Sequence, residues 1–528
     1  MSDPKNFQHV SKAPTHPSGN KASVGFDVAS LYGESPTGEE GAETEVVRYD
    51  EKLRQAYFWI TNRAIISPFY DIEYNESPPQ EYTFGDSGLR LTLPTDQSYS
   101  SYVLLPLLNL ATCRRCLLVG GPGRGKTAIA VLLGVIAGYS LREVRRGIQH
   151  GQPQMTIADL LGNPLPSTLI NAESMDDVKI AWRKWLGMRI KIIDEYNRIP
   201  TRTQSALLTV MGDNYAELYD QIFECPEAAW YLTANDNAGG GTYQVIEALR
   251  DRIDVVVKAL HFNTRFLSDL VTRIEGSIEP ATLVPEEIRF TDGELKGLRD
   301  QIKAVQFPRR LQRRLEFFAS HFEFFEPGAA RLEYMTKDTV KLAALDWHIF
   351  EADSTGRDPL SDLGSQTHNG LSVRALMTCI LFVKAMAYFR GENAVSYEDL
   401  RQMLPFVLHD KLVPNEDSPF FEEPGHRALR ADKISWIRRL FDDSCREYER
   451  LNLDQNDEVG AFEAEFNRGL EGLSERDVRR RMAAIERTLS TWSRGRKLYG
   501  HLYDDLLKLK YLHQRYTNYL RWLKWQNQ

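Results

Sequence analysis

Three short stretches carry residue types at spacings suited to phosphate chemistry. The first is Gly120-Gly121-Pro122-Gly123-Arg124-Gly125-Lys126-Thr127, which meets the pattern G-x-x-x-x-G-K-[S/T]. It follows the apolar run Cys116-Leu117-Leu118-Val119 and precedes a second apolar run at 128–133, so it reads as strand, turn, helix. Glycines let the backbone curl until several N–H groups face one anion, and the helix behind adds the positive end of its dipole. Lys126 would reach the β- and γ-phosphates, and the Thr127 hydroxyl would ligate Mg²⁺. A plain glycine-rich turn is the competing reading; it accounts for neither the lysine nor the hydroxyl.

The second stretch is Asp194-Glu195, closing the β-branched strand 189–193. There Asp194 would hold the Mg²⁺ shell, and Glu195 would orient or deprotonate the attacking water. The third is Asn235, ending a strand at 230–234, where it could hold the same water or the γ-phosphate. Other letters invite chemistry and lack the context. The Gly85-Asp86-Ser87-Gly88 run sits between alternating strands at 81–84 and 89–93, and reads as a hairpin turn rather than a protease nucleophile. Cys113 and Cys116 have no second ligand pair, which favours a buried or redox-silent pair over a zinc site. The eleven histidines form no H-E-x-x-H.

The elements that must position these residues belong to a long chain. At 528 residues, two to four domains are expected. The composition, 42% apolar and 26% charged, is ordinary for a soluble protein, and a net charge of −8 leaves no global footprint for nucleic acid. No apolar run is long enough to span a bilayer. The opening MSDPKNFQHVSKAP does not read as a secretory leader, and five cysteines do not suggest a disulfide framework, so a cytoplasmic location is expected. Residues 1–45 are rich in Ser, Gly, Pro, Thr and acids and read as a flexible tail.

The run DEYNRIPTRTQSALLTVM, then LTAND, then GGTYQVIEALRDRID, resembles the MoxR-type branch of the AAA+ ATPases. The likeness covers about 101–252 strongly and extends weakly to about 412. It implies an α/β fold: a P-loop AAA+ core, a parallel sheet with helices on both faces, followed by an α-helical lid. It makes Gly120 to Thr127 the Walker A loop, Asp194 and Glu195 the Walker B pair, and Asn235 sensor 1. By the same resemblance Arg252 would be an arginine finger that reaches the neighbouring subunit's γ-phosphate. Arg250 competes for that role, and the rival reading of both is a salt bridge to Asp251 or Asp254. Arg250 replaces a usual leucine, and Gln244 and Ile246 replace prolines. Gly370-Leu371-Ser372-Val373-Arg374-Ala375 resembles the family's lid-helix start, which implies that Arg374, as sensor 2, touches the nucleotide of its own subunit. Inserted elements at 149–169 and 216–225 would face a central pore.

Beyond 413 the resemblance ends. The domains expected are the tail 1–45, the nucleotide-binding core 46–260, the lid 261–412, a Pro- and acid-rich linker 413–427, and a C-terminal all-helical extension 428–528. After Ser474 the chain is basic and interleaved with aromatics, which fits core aromatics with a solvated basic face or a protein-docking face better than a nucleic-acid surface. The expectation is a ring, most simply a hexamer, that binds ATP and Mg²⁺ and remodels a partner protein. The resemblance points to a partner with a von Willebrand A domain on a separate chain; the alternative is a nucleic-acid-directed motor.

Overall fold

The computed structural model describes residues 48–66, 68–74, 80–85, 89–93, 95, 97–171, 178–235, 247–259, 261–325, 336–338, 362–470, 472–495 and 500–526. The expected tail, the GDSG turn centre and the Gly241-Thr242-Tyr243 run with Gln244 and Ile246 lie outside them.

The chain enters through helix α1 (Tyr49–Trp59), continued by a wider turn at Ile60–Ala64. Leu53, Ala56, Tyr57 and Ile60 recur at helical spacing and are fully or almost fully buried. Two small antiparallel pairs follow: β1 (Ile72–Glu73) with β4 (Ser98–Tyr99), and between them the expected hairpin of β2 (Glu81–Phe84) and β3 (Leu89–Thr92). Helix α2 (Ser101–Thr112) is apolar nearly all round, and all of it but Tyr102 is buried. Its Asn109 amide nitrogen donates to the Trp230 carbonyl at 3.0 Å.

The central sheet holds five parallel strands. These are β5 (Arg115–Val119), β6 (Gln149–His150), β9 (Ile190–Asp194), β12 (Ala229–Ala234) and β13 (Val255–Lys258), in the order β13-β5-β12-β9-β6. Both faces are covered, which is why the longer strands are mostly apolar; Lys191 inside β9 is buried and donates to the Leu186 and Met188 carbonyls at 2.7 Å. One face packs on α2, α3 (Lys126–Ile136) and the lid. The other packs on α7 (Thr201–Asp213) and its neighbours.

Between β5 and β9 the chain forms α4 (Leu141–Gly147), α5 (Ile157–Leu161), the hairpin β7 (Gly162–Pro164) with β8 (Ile180–Trp182), and α6 (Pro166–Asn171). A second hairpin, β10 (Tyr215–Leu218) with β11 (Gln221–Glu224), leaves α7. The two insertions meet: Trp182 and Phe223 lie 5.6 Å apart, and the Gln221 amide donates to the Val178 carbonyl.

Short α8 (Glu247–Arg252) leads into β13, and α9 (Leu267–Glu275) follows it. The lid comprises α10 (Asp292–Ala304), α11 (Arg309–Ser320), α12 (Val373–Phe389) and α13 (Tyr397–Leu408). The last starts in the capping box expected from Ser396 and Asp399, and α12 stops at Gly391, whose φ of +82° favours glycine.

The stretch 413–427, expected as a linker, is packed: α14 (Pro419–Glu422) buries Phe420 and Phe421 in the lid core. Helix α15 (Lys433–Arg450) joins the same core through Trp436, Ile437, Leu440 and Phe441. The separate core begins only with α16 (Glu458–Asn467), α17 (Glu475–Gly495) and α18 (Gly500–Gln526), around Val478, Ile485, Leu509, Leu512 and Tyr516. Composition misplaced the boundary because two phenylalanines outweigh the acids and prolines around them. No helix of the described residues is long and apolar enough to cross a membrane.

Candidate active site at the carboxyl edge of the sheet

Parallel strands bring their carboxyl ends to one edge, and three adjacent strands deliver the three stretches there. The glycine loop leaves β5, the acid pair leaves β9, and Asn235 leaves β12 between them. The loop is built for glycine. Gly123 and Gly125 take φ values of +73° and +74°, and a Cβ at Gly120 would come within 2.7 Å of the Ala259 carbonyl oxygen. Pro122 and Arg124 are exposed on its crest, and Gly121 packs against the Arg124 guanidinium. Behind it, α3 opens at Lys126 and aims its first N–H groups into the curl.

Lys126 is buried, and its ammonium donates to the Gly120 carbonyl at 2.6 Å, the Gly121 carbonyl at 2.8 Å and Asn235 Oδ1 at 3.0 Å. The other end of that amide, Asn235 Nδ2, donates to Glu195 Oε1 at 3.0 Å. The cation and the carboxylate thereby fix which way the amide points. Thr127 Oγ1 donates to Asp194 Oδ1 at 2.6 Å. The phosphate-loop lysine, both acids, the hydroxyl and Asn235 therefore form one connected network.

Three members of the network were absent from the sequence expectation. Thr233 is fully buried; its hydroxyl donates to Asp194 Oδ1 at 2.7 Å and accepts the Glu195 N–H at 2.9 Å. Strand alternation could have found it, since it shares a strand face with Asn235 two residues on. Arg198 Nε lies 3.1 Å from Glu195 Oε2, and His150 Nδ1 lies 3.3 Å from Asp194 Oδ2. His150 reaches the site only through the β6–β9 pairing, which no local pattern announces. Glu195 itself sits at φ +54°. That turn is pressed against Gly151, where a Cβ would meet the Glu195 carbonyl oxygen at 2.2 Å.

The donor set fits a magnesium nucleotide. A hydroxyl and a carboxylate are hard oxygen ligands of the kind Mg²⁺ takes while keeping waters and substrate oxygens. At Gly120 the curl has no space for a Cβ. The CxxC pair offers no rival: Cys113 and Cys116 are free, and burial pushes both thiols up, most strongly Cys116.

The two expected arginines lie elsewhere. Arg252 Nη1 donates to the Ala248 carbonyl at 3.1 Å, and its guanidinium lies over Gly212 of α7. Among the described residues neither Arg250 nor Arg252 has a carboxylate partner. Asp251 pairs with Arg374 and Lys411, and Asp254 pairs with Arg115 and accepts from Thr378. Arg374 therefore corrects the expectation of an own-subunit contact. The carboxylate it pairs with, Asp251, lies three residues before Asp254, whose N–H bonds to the Arg115 carbonyl at the start of β5. The phosphate loop leaves the other end of that strand, about 16 Å along it at ~3.3 Å per residue. Lid placement is set by how α12 packs on α2, which the local motif does not encode.

Residues 115–255 match the model of the "ATPase family associated with various cellular activities (AAA)", and residues 364–431 match the AAA lid domain. Chaperone MoxR1 of Mycobacterium tuberculosis (strain ATCC 25618 / H37Rv) is 24% identical over 314 residues, 59% of this chain and 71% of that protein. A crystal structure named "putative ATPase" from Cytophaga hutchinsonii ATCC 33406 aligns at 17% identity over 63% of this chain and 89% of its own, with a TM-score of 0.44. That likeness is too loose to add to the fold already described.

Proposed function

We propose that the chain is a MoxR-type AAA+ ATPase that hydrolyses ATP with Mg²⁺ at the carboxyl edge of its sheet, as a ring that remodels a partner protein. The observation that carries this is the single network joining Lys126, Asn235 and Glu195 to Thr127, Asp194 and Thr233. In this reading the curl from Gly120 to Thr127 binds the phosphates, and Lys126 exchanges its own loop carbonyls for phosphate oxygens. Thr127 and Asp194 hold the metal, which when bound neutralises charge on the phosphate oxygens. Glu195 orients the attacking water, and Asn235 keeps that carboxylate and Lys126 in register.

The placement of two arginines supports a ring. Arg252 lies at the far edge of the sheet and has no carboxylate partner among the described residues. Arg374 is beside it, held through Asp251. A cation at that edge can serve a phosphate loop only on the next subunit, and so makes hydrolysis depend on assembly. Both arginines are assigned to the neighbour's nucleotide, with Arg252 as the finger. The paired insertions, carrying exposed Tyr219, Ile222 and Ile170, are the surface assigned to the remodelled protein. The five free cysteines and the ATP substrate support a cytoplasmic setting. A hexamer and a partner bearing a von Willebrand A domain complete the reading.

The test is the ATPase rate against protein concentration for wild type and Arg252→Ala, with and without single-stranded DNA. A rate per subunit that rises with concentration and collapses in the variant, without DNA stimulation, is expected. A concentration-independent rate that survives the substitution overturns the inter-subunit site. Stimulation by DNA with a steep salt dependence replaces the remodeller with a nucleic-acid motor.

A further inference from the structure

The outer face of α18 has a chemistry of its own. Leu507, Tyr511, Trp522 and Trp525 are 45%, 52%, 44% and 72% exposed, although the same helix buries Leu509, Leu512 and Tyr516 on its other side. At ~100° per residue the four exposed side chains fall within an arc of about 60°. By the same count Arg515 and Lys508 border that arc on one side, Arg521 and Lys510 border it on the other, and Lys524 lies farther round. Among the described residues Arg515, Arg521, Lys510 and Lys524 are in no ion pair, whereas Lys508, which lies over the Tyr511 ring, is matched by Glu463, and His513, nearer the bundle core, lies 3.0 Å from Glu486. No acid lies on α18 beyond Asp505. Midway along the stripe the Gln514 amide donates to Asn518 at 2.9 Å, a polar rung between two aromatic ends.

We propose that this face docks an acidic amphipathic helix of a partner protein. The pattern is that of one half of a helical pair: an apolar seam, a polar rung that fixes register, and charged flanks that choose the partner by sign. The unmatched cations call for Glu or Asp beside the partner's seam. They also exclude a second copy of this chain, which would bring like charges together. A single strand of nucleic acid, the rival polyanion for this face, would stack bases on the aromatics and leave the Leu507 end of the seam without a counterpart; its preferential binding is an outcome that overturns the proposal. From Lys510 to Lys524 the face runs about 21 Å, enough for roughly four turns of a partner helix. The inference goes beyond the remodelling reading by naming the chemistry of the docked segment. Binding is measured without ATP, so its failure is separate from failure of hydrolysis.

The probe is a fluorescent synthetic helix of about 18 residues with a Leu/Ile seam and Glu flanks, titrated with the full chain and followed by anisotropy. The same helix with Lys flanks and an oligo-dT strand are the controls. The Glu-flanked helix is expected to bind at least about tenfold tighter than either control and to weaken with salt. Arg515→Glu/Arg521→Glu should invert the preference between the two helices, and Tyr511→Ser/Trp522→Ser/Trp525→Ser should abolish binding while circular dichroism keeps its helical signal. If the aromatic variant loses its helical signal, the charge-reversal variant decides. Absence of binding by the Glu-flanked helix, binding unchanged in the charge-reversal variant, or tighter binding of oligo-dT overturns the proposal.

Discussion

At the residue scale, the two acids depend on a threonine that touches no substrate. The Thr233 hydroxyl holds Asp194 Oδ1 and the Glu195 N–H together, so it sets the angle between the metal ligand and the water-orienting carboxylate. Thr233→Val keeps the volume and removes both bonds, leaving a buried N–H unsatisfied. A stability loss of about 1–3 kcal/mol is expected in chemical denaturation. The ATPase rate should fall by about 10²-fold with nucleotide affinity nearly unchanged, because a misplaced group costs the transition state more than the bound ground state. Glu195→Gln should remove turnover and keep ATP binding, which a fluorescent nucleotide titration checks. Lys126, Thr127, Asp194 and Glu195 were legible because their chemistry is written in contiguous letters. Arg198 and His150 were not, since each gains meaning from a contact rather than from its place in the chain.

Elements obey the same division. The capping box at Ser396 was readable in four letters, and its Asp399 does more than cap: it also accepts from the Tyr74 phenol at 2.7 Å and pairs with Arg390 at 3.2 Å, tying the lid to the strand after α1. The joint between the lid and the C-terminal bundle was not readable at all. There His321, just beyond α11, is buried with its ring 4.7 Å from Phe317 and 5.8 Å from His501 of α18. Burial holds its pKa down at about 4, against the pull of Asp362 and Glu447. Between pH 6.5 and 4 the unfolded chain therefore binds a proton that the folded chain refuses, and stability is lost as pH falls through that window, by about 1.4 kcal/mol per unit at most. Asp504 acts with the opposite sign. Burial raises its pKa to about 6, so the folded chain takes the proton first and gains stability as pH falls from 6 toward 3.8. Unfolding free energies against pH should thus fall more steeply on the acid side in Asp504→Asn than in wild type, and less steeply in His321→Phe.

For the whole molecule, the arginines and the phosphate loop sit at opposite edges of one sheet, and the proposed ring would bring the two together across a subunit boundary. The motifs were legible in the sequence, yet not the edge to which the lid delivers Arg374. That depends on α12 packing against α2 through residues far apart in the chain. The same geometry predicts how subunits fail together. A Glu195→Gln subunit still donates a sound Arg252 to its neighbour and lacks only its own turnover, whereas an Arg252→Ala subunit keeps its own acids and disables the next site. Doping each variant into wild type at fixed total protein separates the two effects. With independent sites, activity falls in proportion to the doped fraction for both. In a ring that hydrolyses in coordination it falls faster than proportion for both. Mixing inactive Glu195→Gln with inactive Arg252→Ala should restore part of the rate, because some junctions then pair a sound Arg252 with a sound Glu195. If Arg252 serves its own nucleotide instead, every site keeps the single defect of its own subunit, no rate returns from that mixture, and Arg252 loses its place as a finger between subunits.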